Sequence, residues 1–496
     1  MLGRAGRWAI ALLCVAGVPV LVLVLIHAFY GVPLSRYRPV SSDEVAYWHQ
    51  AHTFSQVGFR GGFYTVNEIT NASGLTPFGP HGPGFAVLYG LSGAIFGWAR
   101  HSVVAANLIV LAAAAAVWIA LTRVNVPRLL LAAVALVTFW HTVFWAPLGM
   151  QESLHHAGAI VVAGCFASVL GAPPRRWTTV LGWVVLGLLA FVRPSWTMLL
   201  PVWAVATTRQ RRWPVIAGAV GLSLLYGAIV MVAYNRTVAP YGTGFFFLRV
   251  ASLSLPVEQI ADNVRDNLER ISRTDQYRSI ELLQRYQYVA VLLTAGAASL
   301  LAFRRSTRGG WSLHLPIVAV SMATALAAML MVYEFASFAE HRVLSAFLLF
   351  SAMLCLAAPG RLPTLIVLGL VLSNVVTVRM AMTEFEAMWR DRYLWADQDL
   401  AEMRRAVDGN VVYRQNASRW CNTLLTSPYP SSLIVVPAGI GLSVVQNPES
   451  FRTPPRSRYL LLEDRVREAF SIPLELDAIA TLPYGTLYLN RGSDCG

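Results

Sequence analysis

The sequence predicts an all-α polytopic membrane domain of about 11 transmembrane helices, followed by a small C-terminal α/β domain outside the membrane. Three observations carry that reading. Of the 496 residues, 56% are hydrophobic and only 13% charged. Apolar runs long enough to span a bilayer fill most of the first 380 positions. Threading those runs through a membrane also sorts the charges. One face receives 13 Arg and no Asp or Glu, in short clusters from Arg4/Arg7 to Arg361. The other receives all 26 carboxylates and the remaining 26 Arg, because the chain has no Lys. The net charge of +13 is then a cytoplasmic excess, as the positive-inside rule expects. Those arginines meet anionic lipid, and a nucleic-acid partner is not expected.

The expected spans are 8–30, 102–122, 128–147, 154–171, 177–192, 195–208, 213–234, 287–303, 311–333, 343–358 and 362–379. The first follows Arg4 and Arg7 and is too long for a signal-peptide core, so it is read as an uncleaved span. An odd number of crossings puts the N-terminus in the cytoplasm and the C-terminus outside. Gly84–Trp98 is apolar but short, and counting it as a crossing would scatter the Arg clusters over both faces. It is expected to lie as a non-crossing helix at the outer interface.

Residues 1–380 therefore form the membrane domain, with outer loops 31–101 and 235–286, and 381–496 form the outer domain. In the second loop, Val257, Ile260, Ala261, Val264, Leu268 and Ile271 repeat at helical spacing. That stripe predicts an amphipathic helix against the membrane or the protein's own surface. In the outer domain, Thr383–Val407 reads as a helix, and 410–413, 433–437, 459–462 and 485–489 read as strands. Cys14, Cys165 and Cys355 fall in spans as packing residues, whereas Cys421 and Cys495 lie outside, free or bridged.

Polar residues gather at the outer ends of the spans. Asp43-Glu44, followed by Tyr47, opens a helix just after the first span. Adjacent carboxylates at a hydrophobic boundary suit a general base, and the same residues suit an N-cap and first turn. Glu152, His155 and His156 follow the third span, Arg193-Pro194 joins two short spans, and Glu340-His341-Arg342 precedes the tenth. Two arginines beside acids and histidines could hold a phosphate next to a base, although a rim Arg can also be a snorkelling anchor. His155 and His156 are adjacent, so one at most faces a shared site. His81, in Gly79-Pro80-His81-Gly82-Pro83, sits in a turn that is either structural or cavity-facing.

Taken in order, these motifs resemble the GT-C superfamily of membrane glycosyltransferases, in particular the protein O-mannosyltransferase and lipid A aminoarabinose transferase group. The resemblance rests on Asp43-Glu44, His81-Gly82-Pro83 leading into a non-crossing helix, Arg193-Pro194, Glu340-His341-Arg342 and a C-terminal outer domain. It implies an inverting enzyme of a bacterial inner membrane that takes a sugar from a polyprenyl-phosphate donor to a lipid, glycan or protein hydroxyl. Carried over, Asp43 is the base, Glu44 orients the acceptor or shares that role, and Arg193 and Arg342 hold the leaving phosphate. Tyr47, His81, Glu152, His155, Glu340 and His341 are cavity candidates. The His-Gly-Pro turn departs from the family's His-Pro-Pro. A divalent cation is a possible cofactor, with Asp43, Glu44, Glu152 and His155/His156 as potential ligands in no recognisable spacing. The alternatives are another envelope ligase or polymerase, a lipid or sugar transporter, or a scaffold. A transporter would place ionisable groups inside its spans, where this sequence has no Asp or Glu.

Overall fold

A computed structural model describes residues 4–31, 42–62, 64–68, 83–99, 101–122, 124–171, 176–208, 213–237, 257–272, 279–305, 313–332, 341–427, 436–445, 447–482, 485–493 and 495. The chain is mostly helical and ends in a small mixed β-sheet. Six of the described helices are long and apolar enough to cross a membrane, which makes this an integral membrane protein.

The helices are α1 (Arg4–Tyr30), α2 (Ser42–Val57), α3 (Pro83–Phe96), α4 (Ser102–Leu121), α5 (Val126–Thr138), α6 (Trp140–Trp145), α7 (Glu152–Leu170) and α8 (Arg176–Val192). They continue as α9 (Leu199–Thr207), α10 (Trp213–Thr237), α11 (Val257–Ser272), α12 (Ser279–Arg305), α13 (His314–Val332), α14 (His341–Ala357) and α15 (Leu362–Asn410). Over the described residues each of the eleven expected spans coincides with helix, the sixth opening as a 3-10 turn before α9. The third is broken, however: Phe139 leaves helical geometry (φ −70, ψ 91), so 128–147 becomes α5 plus the short α6. Just before the break the Thr138 hydroxyl donates to the Val134 carbonyl, the side-chain back-bonding that bends helices. A second difference is at the C-terminal end, where the last span and the following helix are one 49-residue rod, α15.

The central helix is α7, which packs against α4, α14 and α8 and is buried along most of its length. Small residues allow that closeness. A Cβ on Gly158 would lie 2.6 Å from the Leu189 side chain, and one on Gly164 would lie 3.2 Å from Leu121. The same logic explains the glycines of α3. A Cβ on Gly90 would meet the Ala51 carbonyl at 2.8 Å, and one on Gly84 would meet Val192 at 2.4 Å, so α3 beds against α2 and α8. At the far end of the bundle the Arg128 guanidinium donates to the carbonyls of Leu356, Ala358 and Gly360, capping α14.

The amphipathic helix forms as α11, but it docks through polar side chains. Asn263 and Asn267 donate to the Met331 and Leu330 carbonyls at the end of α13, at 3.0 and 2.8 Å. Of the expected apolar stripe, Ile260 and Val264 are half-buried and Ala261 and Leu268 exposed; the side chains of Val257 and Ile271 lie outside the described residues.

The sheet has β1 (Tyr64–Val66), β2 (Thr423–Thr426), β3 (Gly441–Val444), β4 (Tyr459–Leu462), β5 (Leu476–Leu482) and β6 (Gly485–Asn490), in the order β1-β3-β2-β4-β6-β5. The first four are parallel, and β6 and β5 complete the sheet antiparallel. Of the four expected strands, 459–462 and 485–489 are found. Residues 410–413 instead leave the end of α15, and 436–437 carry no strand; 433–435 lie outside the described residues. Strand β1 comes from the loop between α2 and α3, far from the rest of the sheet in sequence.

Alternation puts Leu424, Leu442, Leu461 and Leu487 on one face, packed with Ala46 of α2, Val407 of α15 and Val411 just beyond it. The other face carries Leu425, Leu460, Leu462 and Tyr488. Cys421 and Cys495 form a disulfide across a separation of 74 residues, with Cα atoms 5.4 Å apart, so it ties down the chain's end. Cys14, Cys165 and Cys355 are free and buried.

Candidate functional site at the head of the bundle

The site is built around the turn that joins α6 to α7. Asn107, the single carboxamide in α4, donates to the carbonyls of Ala146 (2.9 Å) and Leu148 (3.0 Å). It accepts from the Tyr89 hydroxyl of α3 at 2.5 Å. Two helices, α4 directly and α3 through Asn107, thus fix the turn. Its Gly149 N–H donates to Glu44 Oε1 at 2.7 Å, and Glu44 is fully buried. That bond pins the first turn of α2 to the start of α7. Asp43 lies in the same turn of α2, its side chain outside the described residues.

Three residues after Gly149, Glu152 opens α7, almost wholly buried. Arg193 reaches it from the break between α8 and a 3-10 turn over Pro194–Met198. Pro194 lacks the N–H that would continue the helix, and Arg193 adopts an extended conformation. Arg193 Nη2 lies 2.7 Å from Glu152 Oε1. Arg342, in the first turn of α14, brings its Nε to 3.6 Å from the same oxygen, and its guanidinium lies 6.0 Å from the Trp145 ring centroid. Residues 193 and 342 therefore form one cluster around the buried carboxylate of Glu152.

The two histidines diverge. Trp196 Nε1 donates to His155 Nδ1 at 2.9 Å, which puts the His155 proton on Nε2, 3.4 Å from Gln151 Oε1. The Ser345 hydroxyl donates to the Arg342 carbonyl, so His156 Nε2 is the donor to Ser345 Oγ at 2.8 Å. His156 Nδ1 faces Thr142 Oγ1 at 3.4 Å. His156 thus ties α7 to α14, which carries Arg342, and His155 ties α7 to the turn that follows Arg193. Tyr47 is buried against Phe85, which stacks on Tyr89. His81 and Glu340 lie outside the described residues, as does the side chain of His341, the first residue of α14.

Among the described residues, no three His, Cys, Asp or Glu side chains group as metal ligands would. The donors around Glu152 do not fit a cation either, since its bonded oxygen faces two guanidiniums and His155 Nδ1 is taken by Trp196.

The end of α2 away from Glu44 grips the sheet. The Thr53 hydroxyl accepts from Gly439 N–H at 3.3 Å, and the His49 imidazole bonds to the backbone of Pro437 and Ile440. Burial pushes His49 down to about 4, with His52 adding to the shift. Gly62 (φ +73) sits where a Cβ would lie 2.3 Å from Thr53, so only glycine fits there. Beyond β1, Glu68 accepts from the N–H groups of Arg456 (2.6 Å) and Ser457 (3.0 Å).

Sequence reasoning missed Asn107, Tyr89 and the Gly149 N–H. Asn107 did carry a signal, as a single carboxamide in an otherwise apolar helix.

No family model matches the chain, and no curated protein matches it. Among solved structures, it is similar to ArnT from Cupriavidus metallidurans in the apo state, over 100% of both chains, with a TM-score of 0.43 and 12% identity. A score that low carries no argument about activity.

Proposed function

We propose that this protein is an inverting glycosyltransferase that moves a sugar from a polyprenyl-phosphate donor to a hydroxyl acceptor at the outer face of a bacterial inner membrane. The observation that carries the reading is the convergence of Arg193 and Arg342, 149 residues apart, on one buried carboxylate, beside the turn that anchors Glu44. Two guanidiniums there suit a phosphate that gains charge as a glycosyl bond breaks.

In this mechanism Asp43 accepts the proton of the acceptor hydroxyl. The freed oxygen attacks the anomeric carbon from the face opposite the phosphate, the bond from that carbon to the phosphate oxygen breaks, and polyprenyl phosphate leaves against Arg193 and Arg342. The proton on Asp43 passes to solvent. Glu44, held by Gly149 N–H, fixes the helix turn that presents Asp43 and orients the acceptor. Residues 1–380 are the catalytic unit in this reading. Residues 381–496 form an extracytoplasmic domain that braces α2, a placement the Cys421–Cys495 disulfide supports.

Asp43→Asn preserves size and hydrogen bonding but removes the base. Transfer from a polyprenyl-phosphate sugar should fall by about 100-fold or more while the protein still folds. Near-normal transfer by that variant would refute the assignment of Asp43.

A further inference from the structure

Glu152 presents a puzzle for a clamp meant to hold phosphate, since a fixed negative charge already sits between the two arginines. It is 1% exposed and fixed at the first position of α7. Both guanidiniums meet the same oxygen, Oε1. Glu152 Oε2 is buried without a hydrogen-bond partner among the described residues, and so is Arg193 Nη1. A complete Arg–carboxylate pair would use both oxygens and both ends of the fork. Here one arm of the Arg193 fork is left over. Glu152 therefore orients the arginines and offsets half of their charge, leaving a donor for a further anion.

We propose that Glu152 is a specificity-determining residue that holds the clamp at a net charge of +1, favouring a singly charged phosphodiester head group over a doubly charged phosphomonoester. The inference rests on the reading that Arg193 and Arg342 hold the donor phosphate. The two ligands are the two ends of the proposed reaction. A sugar linked through phosphate to a polyprenol is a diester with one negative charge, and the product left after transfer is a monoester carrying about −1.5 to −2 at neutral pH. A fixed carboxylate repels each ligand in proportion to that ligand's charge, so it penalises the product more than the donor. Two arginines alone would neutralise the product fully and hold it. With Glu152 between them, the same clamp binds donor and releases product.

The test uses full-length protein in lipid nanodiscs at pH 8, where the monoester is a dianion. Two probes are titrated: a short-chain polyprenyl monophosphate, and its methyl diester, which keeps the lipid and phosphate but only one charge. Glu152→Gln should tighten monophosphate binding by about 10-fold or more relative to diester binding. Glu152→Asp, which keeps the charge, should retain the wild-type ratio and report on folding. A Glu152→Gln ratio equal to wild type, or an equal loss of affinity for both probes, would overturn the charge-selecting role and leave Glu152 as a strut. If Arg193→Gln and Arg342→Gln each bind both probes like wild type, the donor-phosphate reading itself fails, a result distinguishable from the first.

Discussion

Two carboxylates in this protein are removed from solvent by opposite means. Glu152, at the head of the helix bundle, is held by two side-chain cations drawn from distant parts of the chain. Glu68, at the joint between the α2–α3 loop and the sheet, is held by two backbone N–H groups of consecutive residues. The first arrangement depends on side-chain identity, because only Arg offers a charged fork of that reach. The second depends on backbone shape. Asn67 and Glu68 both have positive φ, 51 and 48, an uncommon conformation outside glycine, held here by strand pairing on one side and N–H donors on the other. The bundle concentrates its chemistry in side chains, whereas the joint spends its side chains on fixing a backbone. That difference separates a site that could discriminate ligands from one that positions a helix.

The strongest way to break the comparison is to remove one charge from the bundle. Glu152→Ala leaves Arg193 and Arg342 facing each other in a largely buried setting, and losing one partner of such a cluster costs about 3–5 kcal/mol. Replacing Glu152 and Arg193 together by Leu and Met should cost less than Glu152→Ala alone, because one cation, Arg342, is then left without the carboxylate instead of two. Thermal unfolding of the purified variants measures both. Single and double variants of equal stability would mean that the cluster is not an energetic unit.

Much of this architecture is legible in the sequence, and the gaps have physical reasons. The eleven helical segments follow from apolar length, and Glu152, Arg193 and Arg342 stand out as polar groups at their ends. The fusion of the last span with the next helix is not marked, because hydropathy and charge change near 380 while no Gly or Pro interrupts residues 370–408. A composition shift is not a helix stop. Strand β1 is three residues long and owes its conformation to β3, so no local pattern identifies it. Asn107 belongs to no motif, and its value lies entirely in which carbonyls α4 brings it to. The Glu44–Gly149 bond involves a backbone group, which sequence never advertises.

At the joint, the next largest effect comes from pH. His49 is buried against the sheet and held near 4, well below its ordinary value of 6.5, with His52 as the neighbouring titratable group. A histidine whose folded value is depressed binds its proton more readily in the unfolded chain. Its contribution is therefore complete above about 6.5 and is lost as pH falls toward about 4. The span corresponds to about 3 kcal/mol over the whole range. Hydrogen exchange at the β1 amides should speed up over that interval, while exchange in the helix bundle stays unchanged. His49→Gln should flatten the dependence. Exchange at β1 that is flat with pH in the wild type would show that this joint does not open when His49 charges.

The smallest effect sharpens the contrast most. Glu68→Gln keeps the shape of the side chain and one acceptor oxygen but replaces the other with an NH2 group. Arg456 and Ser457 both point N–H groups at Glu68, so one of them would face a donor instead of an acceptor. Losing one hydrogen bond at a half-buried position costs about 1 kcal/mol, the low end of the range for an unsatisfied group, because solvent can reach it. Burial already raises the Glu68 carboxyl against the pull of those N–H groups, so removing its charge also removes a desolvation cost and trims the loss further. The expected signature is local: faster exchange at the Arg456 and Ser457 amides, with unfolding of the helix bundle unchanged. Should Glu68→Gln instead shift bundle unfolding as far as Glu152→Ala does, the joint and the site would be one cooperative unit. The division between a side-chain site and a backbone joint would then be lost.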